Sequence, residues 1–579
     1  ISGFFGVLSI ISTYFLLRTS GCRPIVAAFG LTLLLFDSSF TTQSKFFTVE
    51  PLFILGVSLA YWGHKRIQLA GNGREYSKQW FKSNLAVSLG VGIALSLAEI
   101  GMHTTAFFAI LAVLDSWTLL GDLEVLDLKW WSQTFYRFWL YIGVPIVIYL
   151  AIFAVHFEVL YREGPGLGAV LPEFRVSSFE DAQNFSNMPS DVSYGSTITL
   201  KHFEMNEYLH LHNFTYKGGL QAQQVTLYDQ EDDLDNEWII EMRQRTVEGG
   251  LQDKFRAIKD NALVRLYHKR TGKYLTVKDI RPPISEHDYN NEVLVDGSRE
   301  DASDVNYEWK LRIVKKRNNL RFDLPLIKLL ADQSVFQLVH QGTKCVLLSH
   351  KNKLPKYGHF QREVTCVNEP TIPNTLWYVE RNSHPVMDSD PKYVRIPFKP
   401  LSFWAKFREN FEAMRRLRAH LSSGEVGGKR DTESSAPETW PFNLKEEVYY
   451  QDESNKVVFY GNSVVYLVGF FVIIWVSSLQ LFYLLQMMNP YSLSNEKESS
   501  TRFYVTSLEL ILGWGFHFFP YFSLNGNFHL HNYLPLLYFA ILATARYVEF
   551  QFDMRKWWGV TLMVAVTSGT LYMSYEASK

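Results

Sequence analysis

At 579 residues the chain is too long for one domain, so several folding units are expected. A formal net charge of −1, with no basic helix and no zinc-finger spacing, gives no ground for a nucleic-acid partner, and three cysteines exclude a disulfide-framed scaffold. The mean hydropathy of −0.06 hides a division: apolar residues gather at the two ends, while the middle, 158–460, is polar and reads as globular.

The chain opens at Ile1 directly in an apolar run, without methionine, charged n-region or cleavage site, which leads us to expect that an N-terminal part is missing. A bilayer core demands helices of about 20 apolar residues. Runs of that kind fall at 1–18, 24–36, 47–63, 85–101, 104–120 and 135–157 before the middle. After it they fall at 463–486, 503–520, 533–551 and 557–575. The run 24–36 is short, and 85–101 pairs with 104–120 through a tight turn around Gly101.

Positive charge sets the sidedness. The 64–84 loop carries Lys65, Arg66, Arg74, Lys78 and Lys82 and is assigned to the cytosol. Alternation places the 37–46 loop, the polar middle and the 521–532 loop on the lumenal side. The sequons Asn184-Phe-Ser and Asn213-Phe-Thr agree with that side. On the same side lie Lys45 and Glu50, Glu99 and His103, His517, and His529 with His531. Singly, each is explained as an interfacial residue reaching the headgroups; together they predict a polar site open to the lumen.

The middle repeats three times. Thr-Leu-Lys-His ends at His202, Arg-Leu-Tyr-His at His268 and Gln-Leu-Val-His at His340. Each is followed by a leucine-rich strand, namely Tyr208–His212, Tyr274–Lys278 and Val346–His350. Each unit closes on a tryptophan, Trp238, Trp309 or Trp377. Threefold repetition with period-two alternation predicts a β-trefoil over 185–385, with repeats at about 190–245, 253–315 and 326–382. Residues recurring in every repeat read as core, whereas His210 and His212, which differ between units, read as ligand candidates. Cys345 and Cys366 both fall in the third repeat, either as one disulfide or as two buried thiols. Beyond the repeats, Phe403, Phe407, Phe411, Met414, Leu417 and Leu421 mark an amphipathic helix, lying on the lumenal leaflet or packing on the trefoil. The stretch 422–439 reads as a flexible linker.

Leu209-His-Leu-His-Asn-Phe-Thr-Tyr-Lys-Gly-Gly219, Gln223-Gln-Val-Thr-Leu-Tyr228 and Asn236-Glu-Trp238 resemble the first MIR repeat of the fungal protein O-mannosyltransferases. Leu354-Pro-Lys-Tyr-Gly358, Glu363-Val-Thr-Cys366 and Leu376-Trp-Tyr-Val-Glu380 resemble the third. Gly515-Phe-His-Phe-Phe-Pro520, His531-Asn-Tyr-Leu-Pro535 and Ala436-Pro-Glu-Thr-Trp-Pro441 resemble that family's late-span and pre-membrane motifs. The resemblance runs in order along the chain. It implies a GT-C-like helical membrane protein of the endoplasmic reticulum with an inserted lumenal MIR trefoil. The domains are then 1–157, 185–385, 396–440 and 463–575. It also implies transfer of mannose from dolichyl phosphate mannose to Ser and Thr hydroxyls of secretory proteins, with the donor as substrate, no tightly bound cofactor and no residues assigned to a metal. A homo- or heterodimer with a related mannosyltransferase is expected.

The family's Asp-Glu pair belongs to a first lumenal loop not present in this sequence, so the catalytic base is not named and Glu50 is given a supporting role. Lys45, His517 and His531 are the donor-binding candidates. His210, His212, Gln223, Gln224 and His350 are the MIR ligand candidates, and Asn184 and Asn213 the glycosylation sites. The chain departs from the family pattern at Lys45 for Arg, Glu50 for Asp, Gly101-Met-His103 for Ser-Lys-Trp, Gly526 for Arg and Asn532 for His; the second repeat reads Leu275-Thr-Val-Lys278. These losses of cationic contacts keep open an alternative, a catalytically weakened partner subunit or a lumenal glycan- or peptide-binding MIR protein.

Overall fold

The structure is a computed structural model. It describes the chain except for residues 71–75, 98, 123–124, 165–169, 183–184, 186, 216–221, 232, 243–255, 283–289, 300–303, 318–326, 397, 422–424, 427–428, 431–433, 452–455, 490–497, 525–527 and 579. Asn184 and Gly526 therefore lie outside the described residues. Two compact units emerge, Ile1–Val155 with Asp431–Lys579, and His156–Arg430.

The first unit is helical. Each apolar run of the sequence becomes a helix: Ser2–Thr19, Pro24–Leu35, Glu50–Ala70, Lys78–Leu97, Ile100–Leu120 and Asp127–Val159 in the first half of the unit. Ser463–Met488, Glu498–Phe518, Leu534–Met554 and Lys556–Ser578 follow in the second. Among the described residues, five of these are long and apolar enough to cross a membrane. Pro24–Leu35 with Ser38–Lys45 makes a sixth such element, bent by 64°. The bend is fixed by Asp37, which accepts from the Phe40 nitrogen at 3.0 Å and the Asn462 nitrogen at 2.9 Å. Leu534 through Arg546 is buried on every side, which is why that helix reads apolar all round.

Small residues set the closest approaches. A Cβ on Gly90 would lie 2.3 Å from the Gly56 carbonyl oxygen, so the Glu50–Ala70 and Lys78–Leu97 helices meet backbone to backbone. At Gly101 a Cβ would lie 2.2 Å from the Ala94 oxygen, which explains glycine beside the expected turn. Trp139–Gly143 is a π-helical turn within Asp127–Val159, a local unwinding that often accompanies a functional position.

Among the described residues, the large sheet of the second unit has twelve strands. Repeat one supplies β1 (Thr197–His202), β2 (Tyr208–Thr215), β3 (Gln223–Tyr228) and β4 (Glu237–Glu241). Repeat two supplies β5 (Leu263–His268), β6 (Tyr274–Lys278), β7 (Asn290–Asp296) and β8 (Trp309–Lys316). Repeat three supplies β9 (Ser334–His340), β10 (Val346–Lys353), β11 (Arg362–Val367) and β12 (Trp377–Ser383). The pairings β4 with β5, β8 with β9 and β12 with β1 link the repeats into a ring, leaving a closed β-trefoil.

The repeated tryptophans and histidines build that ring. Trp238, Trp309 and Trp377 are fully buried, and their indole N–H groups donate to the Leu209, Leu275 and Leu347 carbonyls at 3.0, 3.0 and 3.1 Å. Each packs against the histidine of the next repeat: Trp238 on His268 at 4.9 Å, Trp309 on His340 at 5.0 Å and Trp377 on His202 at 4.9 Å. Cys345 and Cys366 form a disulfide with Cα atoms 5.4 Å apart, bracing the third repeat.

The Phe403–Leu421 helix packs within this second unit. Lys406 Nζ donates to the Ser177 oxygen at 2.8 Å, and Glu409 accepts from the Leu171 nitrogen at 3.1 Å. The linker expected over 422–439 is corrected at its far end. Pro437–Phe442 is a 3-10 turn, and Trp440, fully buried, donates to Ser435 Oγ at 2.8 Å. Burying an indole outweighs the polar composition of the residues before it.

Candidate functional site

One end of the helical unit gathers polar residues from three distant stretches of chain. Gln43 and Lys45 close the Ser38–Lys45 helix, and Glu50 opens the Glu50–Ala70 helix. A hairpin of Glu447–Gln451 against Lys456–Phe459 brings Glu447 and Tyr449. The turn Leu530–Tyr533 brings His531.

His531 Nδ1 lies 2.8 and 3.0 Å from the Glu447 carboxylate oxygens, so this nitrogen carries a proton. Burial disfavours the imidazolium, but the hydrogen bond and charge of Glu447, with Glu50 behind it, raise the His531 pKa above its ordinary value. Gln43 Nε2 donates to the Tyr449 hydroxyl at 2.6 Å. Burial, then Glu447 and Glu50, push that phenol's pKa up. Gln43 Oε1 and Glu50 Oε2 are buried without a hydrogen-bond partner, and Lys45 is exposed. The arrangement presents unspent acceptors, a nearby exposed lysine and a histidine whose protonated form Glu447 favours. The acceptors suit hydroxyl donors, and the lysine and histidine suit a negative charge.

Glu50 lies close enough to His531 and Tyr449 to act on both, and Lys45 sits exposed at the end of the short helix whose Gln43 reaches Tyr449. His517 is corrected: its ring is fully buried, donates from Nδ1 to the Gly513 carbonyl at 2.7 Å and meets the Thr104 hydroxyl at 2.8 Å. Phe53 and Phe539 pack on it. Both ring nitrogens are used, so it serves as a core histidine rather than a donor contact. Glu447 and Tyr449 escaped sequence reasoning. The signal was there, since Val448-Tyr-Tyr450 and Val457-Val-Phe459 flank Asp452-Glu-Ser-Asn455 as two β-rich runs around a polar turn.

In the trefoil, His210 and His212 lie with ring centroids 4.4 Å apart beside Tyr228. His210 Nδ1 bonds Asn236 Oδ1 at 2.8 Å, and His212 Nε2 bonds Gln361, which also takes the Thr226 hydroxyl at 2.6 Å. Burial and then the His212 charge lower the His210 pKa to about 4, so the pair is neutral at pH 7. Phe214, 52% exposed, packs at a tilt on His359 with ring centroids 4.7 Å apart and extends the cluster to the surface. Gln224 is fully buried; its amide N–H donates to the Thr215 oxygen at 2.8 Å, while its Oε1 has no hydrogen-bond partner. Gln223 starts β3 opposite Thr215. His350 sits on another repeat, its Nε2 3.4 Å from Glu363. Asn213 is in β2, its side chain outside the described residues. Among the described residues no group of three or more His, Cys, Asp or Glu is placed to hold a metal ion.

A multi-pass helical membrane unit of GT-C type joined to a MIR trefoil defines the class. The chain belongs to the dolichyl-phosphate-mannose–protein mannosyltransferase family. Family models match residues 1–161 (dolichyl-phosphate-mannose-protein mannosyltransferase), 191–379 (MIR domain) and 403–578 (C-terminal four TMM region of protein-O-mannosyltransferase). It is 36% identical to dolichyl-phosphate-mannose–protein mannosyltransferase 5 of Candida albicans, over 99% of this chain and 78% of the relative. It is 32% identical to mannosyltransferase 1 of that organism, over 94% of this chain and 60% of the relative. Mannosyltransferase 1 of Saccharomyces cerevisiae is 31% identical, over 98% and 68%. Among solved structures, the S. cerevisiae protein O-mannosyltransferase Pmt1-Pmt2 complex bound to the sugar donor matches with a TM-score of 0.77. The identity there is 29%, covering 100% of this chain and 77% of that one.

Proposed function

We propose that the chain transfers mannose from dolichyl phosphate mannose to Ser and Thr hydroxyls of proteins in the lumen of the endoplasmic reticulum. The observation that carries this reading is the cluster of Lys45, Glu50, Glu447 and His531, within a chain that matches the mannosyltransferase family along its whole length.

Transfer breaks the bond from the mannose anomeric carbon to the lipid phosphate oxygen and forms one to the acceptor oxygen, which loses its proton to a carboxylate base. The leaving phosphate needs positive charge and N–H donors. Lys45 supplies a point charge, and His531, whose protonated form Glu447 favours, supplies an N–H. Glu50 orders the wall between them. The His210–His212–Phe214 cluster offers neutral hydrogen-bonding groups beside an aromatic face, which suits a glycan or a glycosylated peptide. We place the trefoil on the lumenal side, and the chain in a dimer with itself or a related mannosyltransferase. The solved relative's description as a complex supports the pairing.

A second reading, a weakened partner subunit, is favoured by Lys45 where the family carries Arg and by Met102 where it carries Lys. Labelled mannose transfer to a Ser/Thr peptide, by the purified chain with each related subunit in turn, separates the two readings. Transfer that depends on Glu50 supports the first; transfer indifferent to Glu50, Lys45 and His531 supports the second.

A further inference from the structure

The helical unit holds a second polar site at its other end. Glu50 opens the Glu50–Ala70 helix, and His64 and Gln68 lie 14 and 18 residues further on, roughly 21 and 27 Å along its axis. There a cavity of about 450 Å³ is lined by His64, Trp80, Asp115, Asp122, Arg137 and Glu509, with leucines beside them. Its volume falls in the range of small-ligand pockets.

Part of this lining is already satisfied. Glu509 accepts from Tyr61 Oη at 2.7 Å, Lys65 Nζ at 2.5 Å and Gln68 Nε2 at 2.7 Å. His64 Nε2 meets Gln68 at 3.0 Å and Nδ1 meets Tyr141 Oη, in the π-helical turn, at 3.1 Å. Four groups are not satisfied. Trp80, 3% exposed, has an indole N–H without an acceptor. Arg137 has Nε and Nη1 buried without one. Asp115 Oδ2 has no donor within hydrogen-bond reach, His64 Nδ1 being 3.7 Å away. Leaving such groups unmatched inside a helical membrane unit is costly, which argues for a ligand that matches them.

We propose that this cavity binds the headgroup of a phosphatidylethanolamine-type phospholipid at the membrane face opposite the mannosyl-transfer site. The phosphate takes the Arg137 and Trp80 N–H groups, and the primary ammonium donates to Asp115. Three donors beside one carboxylate match a zwitterion of that order. A trimethylammonium has no N–H for Asp115, and a phosphate monoester would set its second charge against Asp115 and Asp122. The leucine side of the cavity takes the glycerol end.

The test uses the full chain, purified in detergent with any partner that stays bound. Native mass spectrometry reads lipid retention after delipidation and addition of phosphatidylethanolamine, phosphatidylcholine or phosphatidic acid. One phosphatidylethanolamine retained per chain, at least tenfold preferred over the other two, is the expected result. Asp115→Asn should remove the preference, and Arg137→Gln should abolish retention. Trp80→Phe, which keeps the ring and deletes only the N–H, should weaken retention severalfold and serves if either charge variant fails to fold. Equal retention of all three lipids, retention unchanged in the variants, or a cavity holding water alone would overturn the proposal. So would displacement of the lipid by equimolar soluble glycerophosphoethanolamine, which would make the free headgroup the ligand.

Discussion

Glu447 holds His531 by both carboxylate oxygens at once, at 2.8 and 3.0 Å from Nδ1, and one of those oxygens also meets the His531 backbone nitrogen at 3.3 Å. A residue of the hairpin before the last four long helices thereby fixes the ring orientation in the turn between two of them. Removing the carboxylate frees the ring and strips away the charge that favours its protonated form. Glu447→Gln is expected to lower mannosyl transfer at least tenfold, about 1.4 kcal/mol of barrier. His531→Ala should cost as much, and the double variant little more, because the two act as one unit. The pH dependence has a definite sign. A histidine with a raised pKa keeps its contribution at low pH and loses it as pH climbs through the folded value. Wild-type transfer should therefore fall on the alkaline side at a higher pH than Glu447→Gln does.

The trefoil carries a pH dependence of the opposite sign. Burial lowers the His202 pKa to about 4, and lowers those of His268 and His340 as well. Such groups stay neutral in the fold but protonate in the unfolded chain below about 6.5, so their stability is complete above that pH and is lost as pH falls toward 4. His202 alone accounts for about 3 kcal/mol of this change. A segment covering 185–385 should be soluble and β-rich at pH 7, with a urea midpoint that falls steadily between pH 6.5 and 4. Helical circular dichroism, or a midpoint indifferent to pH, would count against the ring of histidines on tryptophans.

The sequence made some of this legible and hid the rest for physical reasons. The trefoil could be read because its core residues recur three times, and Trp238, Trp309 and Trp377 mark equivalent positions. The helices could be read because a bilayer imposes a length. Sidedness placed Lys45, Glu50 and His531 at one end, but it also drew in His517, whose depth in the packing no linear pattern reveals. Glu447 was missed because a short hairpin beside a polar linker has no periodicity long enough to stand out.

Ligand binding by the trefoil should separate from its folding. His212→Ala and Phe214→Ala leave the tryptophan ring untouched and should weaken binding of mannosylated peptides tenfold with an unchanged melting temperature. Trp238→Ala opens a large cavity and should cost about 3–5 kcal/mol of stability. A glycan array and a thermal melt on the same samples decide between these behaviours.

Sidedness predicts where sugar can be added. Sequons introduced in the 64–84 loop should stay unmodified in microsomes, whereas Asn213 and sequons introduced at 422–439 should shift in mass on glycosylation. The reverse pattern would invert the whole helical unit and place Glu50 on the cytosolic face.

The most direct measurement is transfer of labelled mannose from dolichyl phosphate mannose to a Ser/Thr peptide by the purified chain with its pairing subunit, comparing wild type with Glu50→Gln and Lys45→Ala. The account predicts active wild type, at least a tenfold loss of turnover in Glu50→Gln, and in Lys45→Ala chiefly a weaker apparent affinity for the lipid donor. Equal rates in all three, or no transfer by the wild type with any related subunit, would contradict it.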